Sequence, residues 1–155
     1  MKNLLKMTAI AALTFTSISA FAASQQAEEV KKFQAWEETA SKKLEARFDA
    51  ISVASANSNA TETEAAVAAF DKQAAENVAE LEALGIKSEE VSPLVSMYKE
   101  YVDAKKEVAQ LILSRVKSPS LDNAGKVPEA VAKANQKDDA IDKLADQLEE
   151  KFPAE

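Results

Sequence analysis

Catalysis and metal binding need side chains that ionise, ligate or attack, and this chain lacks two of the most versatile. It contains no His and no Cys. Imidazole bases, thiol nucleophiles, zinc sites and disulfides are therefore excluded. Carboxylates are plentiful. Asp138, Asp142 and Asp146 recur at four-residue spacing, which stacks them on one face of a helix, where they resemble a landing strip for a hard cation such as calcium. Such an ion takes six to eight oxygens, many from loop backbone, and a straight helix lends none. The expected state of this face is solvated. Paired carboxylates could also act as acid and base, as in glycosidases, yet nothing distinguishes one pair here and a tight helical packing offers no cleft.

Two further groups carry charge in a pattern. Tyr98, Tyr101, Lys105 and Arg115 fall on one wide arc, and Tyr and Arg are common binding anchors. The competing reading lays the Lys105 stem along a core edge with its ammonium in water, and it is preferred. Lys31, Lys42, Lys43 and Arg47 form the most basic stretch, read as a solvated face in preference to an anion-binding strip. No residue is assigned a catalytic, cofactor-binding or metal-ligating role, no cofactor is expected, and the protein is read as not an enzyme.

The elements that hold these groups are helices. The chain of 155 residues has 2 Gly and 4 Pro, too few for a turn-rich β fold, and Ala, Glu, Lys and Leu dominate as in long helices. The organising stretch is Ser92–Val116. Its polar residues occupy one narrow stripe, and almost all the rest is apolar. A helix that is greasy around most of its circumference is buried by several neighbours. Three others can cover it. The first spans about Gln26 to Ala54, with Val30, Phe33, Trp36, Ala40, Leu44, Phe48 and Ile51 at helical spacing. The second spans about Glu62 to Leu84 with the stripe Val67, Phe70, Ala74, Val78 and Leu81. Thr61 and Glu64 read as its capping box, and Gly85 as its left-handed end, with Ile86 folding back onto Leu81. Ser92 reads as the cap of the third helix, with Pro93 in its first turn. Leu121 to Val127 reads as a loop, and Pro128 as the start of a fourth helix with Val131, Ala134, Ile141, Leu144 and Leu148 on its core face. The expected fold is all-α, an antiparallel up-down-up-down four-helix bundle.

The N-terminus reads differently. Lys2 and Lys6 precede an apolar run from Met7 to about Ile18, and Ala20-Phe21-Ala22 offers a small-x-small cleavage site, which together make a secretory signal peptide. The expected domains are a signal peptide over 1–22, cleaved after Ala22, and one helical domain over 23–155. With no Cys to carry a lipid, the mature protein is expected free in the periplasm or secreted, without a stable membrane anchor. Loss of Lys2 and Lys6 with no acid moves the formal charge from −7 to −9, which suits neither nucleic acid nor anionic lipid.

The segment NAGKVPEAVAKA, Asn123–Ala134, and the Ser92-Pro93 helix start resemble the small periplasmic b-type cytochromes, which are four-helix bundles. The resemblance covers about a third of the chain and implies fold and location. That family holds haem between a Met of its first helix and a His of its last. Here the methionines are Met1, Met7 and Met97, and there is no His, so neither axial ligand carries over.

The function expected from these readings is that of a non-enzymatic exported bundle binding another protein in the cell envelope, chaperone-like or inhibitor- or immunity-type. Self-association as a homodimer would be another way to cover the third helix. The alternatives are a carrier of a small apolar ligand lodged between the alanine-rich helices, and a haem-free relative of the cytochromes.

Overall fold

The computed structural model describes the backbone of residues 2–119 and 121–153, and the side chains of residues 23–119 and 125–153. It has four helices in chain order: α1 Lys2–Ala56, α2 Ala60–Ala83, α3 Ser92–Lys117 and α4 Leu121–Lys151. Among the described residues there is no strand, and no helix is long and apolar enough to cross a membrane. The expected cleavage point after Ala22 lies within α1, and the side chains that would define it lie outside the described residues.

Cross-helix pairs show how the rods lie. Glu82 meets Lys99 at 2.6 Å and Glu64 meets Lys117 at 2.8 Å, so residue numbers rise along α3 as they fall along α2. Glu107–Lys133 at 3.0 Å and Glu100–Lys137 at 2.6 Å give the same reversal between α3 and α4. The α1/α2 and α3/α4 interfaces are the most extensive, α2/α3 is intermediate, and α1 touches α4 and α3 only thinly.

Helix α3 is the most enclosed rod. Leu94, Tyr98, Tyr101, Val102, Ala104, Val108, Ala109 and Leu113 are buried, and its remaining apolar residues are at least half-covered. Around it pack Phe33, Leu44 and Ile51 of α1, Phe70 and Leu81 of α2, and Ile141 and Leu148 of α4. Burial of each such Phe, Leu or Ile contributes roughly 1.5–3 kcal/mol. A second cluster joins Ala104 and Val108 of α3 to Ala130 and Ala134 of α4, where small side chains let the helices approach closely.

The helix ends correct three expectations. The cap of α2 is Asn59, whose Oδ1 accepts the Glu62 amide at 3.1 Å. Thr61 lies inside the helix, two residues past the cap, because the chain turns at Ser58 with φ 53°. Ser92 is the first residue of α3 and makes no side-chain cap; its hydroxyl donates to the Glu89 carbonyl at 3.3 Å. Helix α4 begins at Leu121, so the expected loop 121–127 is helical and Pro128 lies inside. Proline's fixed φ is helical at a first turn and in an interior alike, so sequence alone does not separate the two. The side chain of Leu121 lies outside the described residues. Gly85 adopts φ 67° just past α2, and Ile86 packs against the core cluster that contains Leu81.

Candidate functional site

A band of polar and aromatic groups crosses the middle of the bundle. It grows from α2, where buried positions Thr63, Val67, Phe70, Ala74, Asn77 and Leu81 alternate at spacings of four and three. Asn77 therefore occupies a core position, and it is 0 % exposed. Its Nδ2 donates to the Ala40 carbonyl of α1 at 2.9 Å and to the Tyr98 hydroxyl of α3 at 3.1 Å. Its Oδ1 accepts from Gln73 Nε2 at 3.0 Å. One amide thus ties three helices together, and a buried polar group is tolerated only when satisfied in this way.

Tyr98 and Tyr101 are 0 % and 2 % exposed. Trp36 of α1 stands edge-on to Tyr98 at 4.7 Å, with Phe33 beyond it at 5.8 Å. Burial pushes the Tyr98 hydroxyl up to about 12, with the Asn77 hydrogen bond easing it and Glu37, Asp138 and Glu80 adding to it. Burial drives Tyr101 higher as well, reinforced by Asp138. Both phenols are neutral at physiological pH.

At the α1/α4 side of the band the groups become ionic. The Lys105 ammonium lies 4.8 Å from the centre of the Phe48 ring and 5.5 Å from that of Tyr101. Half-buried Asp138 of α4 sits in the same field. Its carboxyl is raised to about 6, chiefly by desolvation and then by Asp142, with Lys105 pulling it back and Glu37 and Glu45 of α1 adding to the rise.

The four residues expected on one arc are thus separated. Tyr98 and Tyr101 are interior, Lys105 is a half-buried cation over aromatic rings, and Arg115 is exposed at the far end of α3. They form no exposed patch, because α1, α2 and α4 together consume the apolar arc of α3. The acidic run also divides: Asp138 turns inward while Asp142 and Asp146 are exposed. Among the described residues no group of three or more Asp or Glu is placed to hold a metal ion. Lys31, Lys42, Lys43 and Arg47 are exposed, with Lys42 on Glu38 at 2.7 Å and Lys43 on Glu80 at 3.4 Å.

Three buried polar residues escaped the sequence reading, Thr63 among them. Helical spacing from Ala74 to Leu81 runs equally well through 77 or 78, so the apolar Val78 masked Asn77. Glu29 is 6 % exposed and accepts the backbone amides of Lys87 at 3.2 Å and Ser88 at 3.0 Å. Burial works against its ionisation, but bonds from Ser88, Lys87 and Gln25 outweigh it and hold the carboxyl below the usual range. Nothing local marks Glu29, since its partners lie far along the chain.

The surface carries shallow grooves. One of about 470 Å³ runs between α2 and α3, with Ala75, Val78, Ala79 and Val102 along it and Lys99 and Lys106 among its charged residues. Another of about 360 Å³, between α3 and α4, includes Met97, Glu100 and Lys137.

The chain belongs to the family described as Uncharacterised lipoprotein PM1805, whose model matches residues 27–153 and so takes in the whole core. No curated protein and no solved structure matches the chain.

Proposed function

We infer that this member of a lipoprotein family is exported to the cell envelope and acts there without chemistry of its own, by binding another protein through charged contacts. Export is supported by the family description and by the leader-like residues 1–22. Lipoproteins are held at a membrane by a lipidated cysteine, and none of the residues present can take that lipid.

The observation that carries the reading is how completely apolar surface is used inside. Val53, at 64 % exposure, is the one large exposed hydrophobic among the described residues. A chaperone-like surface would need an exposed apolar patch, and the described residues of the closed bundle offer none. Charge is what remains outside. Asp139, Asp142, Asp146 and Glu150 of α4 are exposed and make no ion pair among the described residues. Such a strip favours a basic face on the partner and fast, salt-sensitive encounter, which fits an inhibitor- or immunity-type protein.

The test is cross-linking capture from periplasm at low and high salt, beside the variant Asp142→Lys/Asp146→Lys. A stoichiometric partner released by salt and lost in the variant is expected. A clean monomer, or a partner indifferent to both, removes the reading. The second reading, a carrier, is favoured by the α2/α3 groove with its Ala75, Val78 and Ala79 wall. Native mass spectrometry of the purified protein would reveal a retained ligand, and a bare mass would remove that reading.

A further inference from the structure

We propose that the bundle is built as two helical hairpins, α1/α2 and α3/α4, that part along the α1/α4 seam while α2 and α3 stay together as the spine. The claim goes beyond partner binding and is independent of it.

Three observations carry it. Contacts are unevenly distributed: each hairpin is extensively packed within itself, α2/α3 is next, and the α1/α4 and α1/α3 contacts are thin. The fastenings likewise avoid the α1/α4 seam. Two ion pairs join α2 to α3 and two join α3 to α4, while Asn77 and the Lys43–Glu80 pair hold α1 to α2. Among the described residues no ion pair joins α1 directly to α4; an exposed Gln34–Glu149 hydrogen bond of 3.0 Å bridges them, and at one end of the seam Glu90 of the α2–α3 connection accepts from Gln26 of α1 at 2.8 Å and from Lys151 of α4 at 2.7 Å.

The seam itself is poorly suited to stay dry. Trp36, Phe48, Lys105 and Asp138 are only half-buried there, and the Trp36 indole N–H is buried without a hydrogen-bond partner. A buried donor left unpaired and a partly desolvated charge both favour opening toward water. A pivot is available in the connection between α2 and α3. It holds Gly85 in the left-handed region, and Glu29 pins Lys87 and Ser88 of this connection to α1. Parting would expose Phe33, Trp36, Tyr98 and Tyr101, an aromatic surface absent from the closed form.

The experiment uses the full-length chain, whose lack of Cys makes introduced labels unambiguous. Spin labels at Gln34→Cys and Glu149→Cys report on the seam. Labels at Glu107→Cys and Lys133→Cys report on the α3/α4 hairpin. Pulsed electron paramagnetic resonance is expected to show two separations for the seam pair, differing by about 10 Å, one helix diameter, and one for the hairpin pair. A single narrow separation for both pairs overturns the proposal, as does equal broadening of both. Bridging the seam cysteines with a short bis-maleimide gives a second measurement. It should cut acrylamide quenching of Trp36, the single tryptophan, at least threefold relative to the bridged hairpin control. Equal quenching in the two bridged proteins also overturns the proposal.

Discussion

Asn77 offers the sharpest test of the tertiary arrangement. Its side chain is fully buried and its Nδ2 serves both the Ala40 carbonyl and the Tyr98 hydroxyl. Truncation to Ala removes both bonds, each worth about 1 kcal/mol net. It also strips the buried Tyr98 oxygen of its donor, which costs roughly 1 kcal/mol or more. Asn77→Ala should therefore lose about 3 kcal/mol, a fall of about 10 °C in Tm for a domain of this size. Tyr98→Phe removes one bond and leaves Asn77 still bonded to Ala40, for about 1 kcal/mol. The double variant Asn77→Ala/Tyr98→Phe loses the shared bond only once and leaves no stranded hydroxyl, so it should cost about 2 kcal/mol less than the sum of the single variants. Asn77→Leu/Tyr98→Phe replaces the pair with apolar groups of similar size and should come within about 1 kcal/mol of wild type. Urea unfolding followed by far-UV circular dichroism measures each value without relying on Trp36, which touches Tyr98. A loss below about 1 kcal/mol for Asn77→Ala, or strictly additive single variants, would refute the three-helix tie.

Asp138 makes the opposite prediction, because its ionised form is disfavoured in the fold. Its carboxyl titrates near 6 in the native state and near 3.8 unfolded. The penalty is therefore absent below the unfolded value, grows as pH rises between the two values, and is fully present above about 6. Asp138→Asn should stabilise by about 1 kcal/mol at neutral pH, after allowing for its partial exposure. The gain should vanish in acid, and thermal melts across pH check both. Glu29 behaves in the reverse sense: burial opposes its charge but the amides of Ser88 and Lys87 prevail, so its contribution is present above the usual carboxylate pKa and is lost as pH falls through the native value. Glu29→Gln should cost about 1 kcal/mol at neutral pH, with faster amide exchange at Lys87 and Ser88 as the local signature. At the start of α2, Asn59→Ala should cost about 1 kcal/mol and Thr61→Ala only a few tenths; the reverse order in chemical denaturation would restore Thr61 as the cap.

Sequence alone determined that the chain is helical, that there are four helices, and that the third is the most enclosed. These follow from periodicity and composition, which act locally: apolar residues at three- and four-residue spacing force a helix to bury one face, and an almost wholly apolar rod needs cover on several sides. Pro93 in a first turn and Gly85 past a helix end were equally local, since each is set by its own backbone freedom. Tertiary structure decided which of two adjacent positions turned inward. Val78 belongs to a plausible stripe, yet Asn77 is the buried residue, because the approach of α1 and α3 sets the rotation of α2. The same cause buried Tyr98 and Tyr101 while leaving Arg115 in water, and turned Asp138 inward away from Asp142. Glu29 is the clearest case: its partners are fixed by where the α2–α3 connection folds back on α1, and no pattern near residue 29 encodes the position of residues 87 and 88.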